Sequence, residues 1–378
     1  MDFDFSDDQQ ALRDAVSRWV DKGFTFERRH ALARAGGASR AVYTELAELG
    51  LAGLVVPEVH GGLGQGAVDA MVVCEELGRG LVNAPYALAA LMVPVLLSAA
   101  NAEVQAEWLP RIATGEALVV PALQERAARY KLHHVTTRAS QQAGAWVLDG
   151  SKCVVTGGDE ADAFVVPARL AGAAGADTDT TGIALFLVEK SAVTAAGYAT
   201  QDGARAADLT LAGAGATLLT LDGHAVLEAA VDAGIAAQCA EAVGLMDKLV
   251  ALTVEYMNTR KQFGVTLASF QALRHRIADV KMQLELGRSM SYYASLKLGE
   301  PAPQRRRAIS QARVQLGHSM RFVGQQCIQL HGGIGCTDEV AASHYFKRLT
   351  MLELSLGDTL HHLGEVSARM QDTAGVFA

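Results

Sequence analysis

"AWVLDGSKCVVTGGDEADAFVVPARL", residues 145–170, decides the fold. It holds two apolar runs cut by Asp and Gly. Each run is rich in Val, Phe and Trp and is strand-length, too short for an ordinary helix. Outward from it the same texture recurs in "ALVVPALQ" (117–124), "GIALFLVEK" (182–190) and "ATLLTLDG" (216–223). Polar, glycine-rich linkers such as "AGAAGADTDTTG" (171–182) join them. The even spacing predicts an all-β unit at 117–223.

Helices flank this block. Ser6 and Gln9 have capping-box spacing, and Leu12, Val16, Trp19 and Val20 follow at helical intervals. Helical stretches continue to about residue 115 and are broken by the glycine-rich loop "PEVHGGLGQG" (57–66). The uncharged run from Asn83 to Glu103 carries Pro85, Pro94 and Asn101. A bilayer span needs roughly 20 mostly apolar residues, so this run is read as a buried helix pair. After Val226 three long amphipathic segments appear, and a last helix is expected from near Glu339, leading into a turn at Leu356-Gly357-Asp358. Long antiparallel helices joined by short loops predict a bundle. The expected class is α+β: an N-terminal α-helical domain (1–116), a middle β-barrel or sandwich domain (117–223) and a C-terminal four-helix bundle (224–378).

Composition removes other classes. The net charge of −8 argues against non-specific nucleic-acid binding, which needs clustered Lys and Arg. The one basic run, Arg305-Arg306-Arg307, follows "GEPAPQ" and is read as a solvated helix start. The five cysteines are widely spaced and form no zinc or redox motif, which fits a reducing, cytoplasmic setting. No metal is implied. The acidic start "MDFDFSDDQQ" has no apolar signal core, so neither export nor membrane attachment is expected. No Walker or Rossmann glycine motif is present, because "GGLGQG" follows a loop rather than a strand. His133-His134 and His361-His362 are adjacent, the wrong spacing for two ligands on one helix face, and read as surface or satisfied polar residues.

Two segments are more specific. "NTRKQFG" (258–264) ends a long helix with an arginine able to grip a phosphate and a phenylalanine with a flat apolar face. "QLHGGIG" (329–335) ends another, with glycines that admit close backbone approach and a glutamine that both donates and accepts. On physics alone, helix capping plus packing is the favoured reading.

The order of helical, β and helical blocks, with "RKQFG" after the first bundle helix, "FQAL" (270–273) opening the second and "QLHGGIG" closing the third, resembles the acyl-CoA dehydrogenase family over essentially the whole chain. Within it, "YTELAELGLAGLVVPEVHGG", "QDGARAADLTLAG" and "SHYFKRLTM" look most like the small subunit of pimeloyl-CoA dehydrogenase. The resemblance implies FAD-dependent α,β-dehydrogenation of an acyl-CoA, with electrons passed to an electron-transfer flavoprotein. It also implies tetramers in which a neighbouring subunit completes the FAD site. Carried over, its cofactor-binding residues are Arg260, Phe263, Gln329, Gly332 and Gly333, with Gln271 and Thr156 as further candidates.

The chain departs from that family at the base. The glutamate of the family's E-G-T sequence is Leu356 here, and the alternative position on the first bundle helix falls on Gly234, with Ile235 where an arginine commonly follows. Glu241 and Asp358 are the remaining carboxylates to consider, with a buried salt bridge as the plain reading of Glu241. An arginine expected near the CoA site is Leu363. The family's glycine-bearing flavin loop corresponds to "QERAARYKL" (124–132), which has no glycine and puts Tyr130 where a serine is expected. The expectation is therefore a chain with no catalytic base of its own, lending FAD contacts to a paralogous large subunit in a heterotetramer. The alternatives are a homotetramer with a displaced base and a non-catalytic structural subunit.

Overall fold

In a computed structural model that describes residues 5–37, 39–172 and 179–374, the first helix starts at the expected capping box. Ser6 Oγ accepts from Gln9 N at 3.2 Å, and the Gln9 side chain accepts from Ser6 N at 3.1 Å. Residues 1–4 of the acidic start and 173–178 of the glycine-rich linker lie outside the described residues. The helices are α1 (Asp7–Gly23), α2 (Phe26–Arg34), α3 (Ser39–Glu48), α4 (Ala67–Arg79), α5 (Val93–Leu97), α6 (Ala102–Ala113), α7 (His224–Thr259), α8 (Gln271–Lys297), α9 (Ala302–His331), α10 (Ala341–Leu354) and α11 (Thr359–Ala374). A π-helical turn, Ala87–Met92, runs into α5, and both are mostly buried, as the uncharged run predicts. None of the described helices is long and apolar enough to cross a membrane.

Contacts divide the chain into two units: Met1–His30, Ala67–Val82 and Ile235–Ala378 in one, and Ala31–Gly66 and Asn83–Gly234 in the other. The second unit holds β1 (Val119–Pro121), β2 (Arg138–Gln142), β3 (Ala145–Thr156), β4 (Ala163–Leu170), β5 (Ile183–Glu189), β6 (Thr194–Ala199) and β7 (Arg205–Thr220). The pairings β4–β2, β2–β3, β3–β7, β7–β5 and β5–β4 close a ring, so five strands form a barrel and leave few open edges. β1 adds to β4 and β6 to β7. The barrel also buries charge. Lys152 Nζ donates to Glu125 Oε1 at 2.7 Å and to Pro167 O at 2.8 Å. Thr136 and Thr137 donate to the same carboxylate. Burial opposes ionisation of Glu125, but Lys152 and these donors outweigh it and hold its pKa down to about 2.

In the first unit, α9 is the central helix, packed by α8, α10 and α11. The fourth bundle helix is in fact two, α10 and α11, meeting at Ser355–Asp358. The unit also draws in the N-terminal α4, because two helices approach at small residues. A Cβ on Gly244 of α7 would stand 1.8 Å from Glu75 O of α4, so only glycine fits that crossing. The arginine run corrects the sequence expectation: Arg306 is buried and Arg305 and Arg307 are half-buried. The central position of α9 takes those side chains out of solvent; periodicity alone could not show that this helix would be surrounded.

Candidate functional site

The first candidate group lies where α7 and α9 end. After Thr259 the chain makes a two-residue hairpin between β8 (Lys261–Gln262) and β9 (Val265–Thr266). Its turn residues, Phe263 and Gly264, have φ of 53° and 80°. Positive φ at both positions is the type I′ turn, one of the two that match strand twist, and phenylalanine adopts that geometry at a steric cost. Phe263 is 92% exposed, an extreme value for so large an apolar side chain. Its only aromatic neighbour among the described residues is Phe270, edge-on at 6.2 Å. Arg260 is exposed at the hairpin's base, its N–H donating to Tyr256 O at 2.8 Å.

Tyr256, one turn before Arg260, stacks on His331 at 4.6 Å. That contact sets the end of α7 beside the end of α9, which carries Gln329, Gly332 and Gly333, all exposed. Gly332 caps α9 with φ 68° and ψ −148°, and a Cβ there would meet nothing within 4 Å. The backbone, not crowding, demands glycine at this position. Gln271 opens α8 directly after Phe270 and is exposed too. Six of the seven predicted cofactor-binding residues therefore belong to one unit, on the segments that end α7 and α9 or begin α8. The seventh, Thr156, ends β3 in the other unit, half-buried and paired with Ala206.

The second group surrounds Leu356. This residue also has φ 53°, but here the turn is clamped. Arg313, 1% exposed, donates through Nη2 to the carbonyls of Leu352 and Ser355, the latter at 2.6 Å, and through Nε to Gly357 O at 3.2 Å. His362, 2% exposed, faces Leu356 O with Nε2 at 3.1 Å and Ser310 Oγ with Nδ1 at 3.4 Å. A carbonyl can only accept, so Nε2 carries the hydrogen. Burial and the Arg313 charge push His362 down to about 3. Gln238 of α7 donates to Ser355 Oγ at 2.9 Å, and Glu353 accepts from Thr359 Oγ1 at 2.7 Å. Arg313 and Gln238 escaped the sequence reading. The signal was weak: a polar residue inside a long helix is usually solvent-facing.

Neither remaining carboxylate stands idle. Glu241 accepts from Arg348 Nε at 2.6 Å and is buried, as its plain reading predicts. Asp358 Oδ1 accepts from His361 N at 2.8 Å, the geometry of an N-cap for α11. Gly234 and Ile235 are buried within α7.

The comparisons with known proteins agree with this architecture. Residues 6–116, 122–212 and 222–371 match the N-terminal, middle and C-terminal domains of acyl-CoA dehydrogenase in turn. Acyl-CoA dehydrogenase IpdE2 of Mycobacterium tuberculosis is 31% identical, with 90% of this chain and 91% of that protein aligned. The probable acyl-CoA dehydrogenase YngJ of Bacillus subtilis is 26% identical over 94% of this chain and 96% of its own. Among solved structures, the ChsE4-ChsE5 complex of M. tuberculosis has a chain of the same fold, with a TM-score of 0.87 at 24% identity, covering 99% of this chain and 100% of that one. The chain belongs to the acyl-CoA dehydrogenase family.

Proposed function

We propose that this chain is the base-lacking subunit of a hetero-oligomeric, FAD-dependent acyl-CoA dehydrogenase, and that it completes the flavin site of a paralogous catalytic subunit. The observation that carries the reading is the exposed pair Arg260 and Phe263 on a hairpin, beside Gln329 and the Gly332-Gly333 backbone. A strained phenylalanine kept almost wholly in water is costly unless something covers it. The adenine and phosphates of FAD suit that corner: an arginine for the phosphates, a flat apolar face and an amide for the base. Gln271 would add a second amide; Thr156, in the other unit, is a separate candidate for a hydroxyl contact to a flavin. When bound, FAD supplies hydride acceptance from the acyl β carbon, and an electron-transfer flavoprotein would reoxidise it.

The other half of the reaction argues for a partner. Abstraction of the α proton needs a positioned base, worth roughly 10² to 10⁴ in rate. Leu356 cannot serve, Glu241 is committed to Arg348, and Asp358 caps a helix. The ChsE4-ChsE5 complex, one chain of which has this fold, is compatible with an assembly of two different chains. The small-subunit resemblance to pimeloyl-CoA dehydrogenase points the same way. A cytoplasmic location is part of the same reading.

The chain purified alone should hold well under one FAD per chain, and an acyl-CoA should not bleach it. Full flavin occupancy with bleaching by an acyl-CoA, from the chain alone, would overturn the proposal. In the isolated complex, Arg260→Ala combined with Phe263→Ala should release flavin without dissociating the subunits.

A further inference from the structure

The segment that joins α9 to α10 is held at its far end by a buried histidine. From Gly332 to Cys336 it forms a short 3₁₀ helix. Thr337 closes it, donating through N and Oγ1 to Ile334 O at 3.0 and 2.9 Å. The near end carries the exposed pair Gly332 and Gly333. The far end is tied through Asp338. His344, in the first turn of α10, turns Nε2 to Asp338 O at 3.0 Å, and Lys347 Nζ donates to Asp338 Oδ1 at 2.6 Å. From the other side Arg29 of α2 donates through Nη1 to His344 Nδ1, a contact between positions 315 residues apart in the chain. Arg29 is 3% exposed and His344 is 5% exposed. All of these residues belong to the first unit.

The two contacts fix the protonation of the ring. A guanidinium can only donate, so Nδ1 must present its lone pair. A carbonyl can only accept, so Nε2 must carry the hydrogen. Together they demand one tautomer of the neutral imidazole. A second proton would go onto Nδ1 and set its N–H against the N–H of Arg29. The contact would be lost, and two cations would face each other in a buried place. Arg29 has a further interaction besides this one. The conflict does not depend on that, because it arises at the N–H aimed at Nδ1. The other groups that face His344 are Phe26 and His30 of α2, edge-on at 5.2 and 5.1 Å, together with Asp338 and Lys347. Burial, helped by the charges of Arg29 and Lys347, pushes His344 below its ordinary value of 6.5, and Asp338 only partly opposes this. Lys347 holds the Asp338 carboxyl below the usual carboxylate range, so its charge stays constant where an imidazole titrates.

We propose that Arg29 and His344 form a proton-sensitive latch that positions the segment 332–340, closed while the imidazole is neutral and opened when it takes a second proton. His344 is a positioning residue: it touches neither glycine and acts through Asp338. The sign follows from the buried contacts. The latch is intact above the ordinary histidine value and is lost as pH falls below it, because the opened segment binds the proton more readily than the closed one. Gly332 and Gly333 begin the segment, so opening would loosen the corner assigned above to the cofactor. That consequence rests on the proposed function, whereas the latch itself is a property of the chain alone.

The test is amide hydrogen exchange of peptides from 332–340 in the whole chain, purified alone. It compares about pH 7.5 with about pH 5, after the intrinsic pH dependence of exchange is divided out. In the parent chain, protection of the segment should fall at least about tenfold on acidification, the equivalent of one lost charge-assisted hydrogen bond. His344→Gln offers an amide oxygen to Arg29 and an amide N–H to Asp338 O, with no proton to titrate. Its segment should stay protected at both pH values. Arg29→Gln gives the same answer by a second route, should His344→Gln fail to fold. Its amide can turn a donor or an acceptor towards Nδ1, so both states of the ring are tolerated and the fall should largely vanish. His30→Gln should leave the fall intact. Three results would overturn the proposal: protection in the parent that does not change with pH, a full fall that persists in His344→Gln or Arg29→Gln, or a fall abolished by His30→Gln. Flavin occupancy, which tests the shared-flavin reading, enters none of these measurements, so the two ideas fail separately.

Discussion

Phe263 and Leu356 share the same backbone φ, 53°, and almost nothing else. Phe263 sits at the tip of a two-residue hairpin and is 92% exposed. Leu356 sits in a turn whose carbonyls are held by Arg313 and His362 from inside the bundle. In the first case the hairpin's twist demands the conformation locally. In the second, buried donors demand it from a distance in sequence of 43 and 6 residues, counted as 356 − 313 and 362 − 356. Strain at an exposed tip can be relieved at little structural cost, so its retention points to an external contact. Strain inside a clamp is retained because the clamp would otherwise lose its hydrogen bonds.

The comparison breaks most visibly at Arg313. Truncation by Arg313→Ala removes the arginine donor from Ser355 O and Gly357 O, leaves Leu352 O with Ser355 N alone, and empties a buried volume. The expected loss is about 3–5 kcal/mol, read as a fall in the urea midpoint. A loss below about 1 kcal/mol would mean the turn holds itself.

A smaller effect is expected from acid. The folded pKa of His362 lies below its unfolded value of 6.5, so the neutral ring contributes fully above that value. Its contribution falls as pH drops from 6.5 towards about 3, because the unfolded chain then binds the proton and the folded one does not. Between pH 6.5 and 5 this amounts to about 2 kcal/mol. The check is the difference in pH slope between the parent chain and His362→Gln, which cancels other titrating groups. Equal slopes would show that His362 is protonated in the folded turn.

The smallest change is expected at the hairpin, and it has the opposite sign. Asparagine tolerates positive φ far better than phenylalanine, and the exposed ring buries little within its own chain. Phe263→Asn should stabilise the isolated chain by about 0.5–1 kcal/mol. The same variant should lower flavin retention in the complex. A destabilised chain would instead mean that Phe263 already packs usefully against Phe270.

Much of this was legible in the residues. Short apolar runs marked the strands, and 3.6-residue periodicity marked the long helices, because both patterns come from local geometry. The glycine-bearing helix end at 329–335 was visible in the residues, whereas the two-residue hairpin that carries Phe263 was not. At the position the resemblance assigns to the base stands Leu356, which has no ionisable group whatever the fold around it. Tertiary structure alone decided the rest. That Arg306 and Arg313 are buried follows from α9 lying between three helices, and no pattern within α9 encodes its neighbours. That Glu241 is spent on Arg348, 107 residues away, required the bundle to bring them to 2.6 Å. Local geometry writes itself into sequence periodicity, whereas burial of a charge depends on which distant surfaces arrive, and that is settled only when the helices pack.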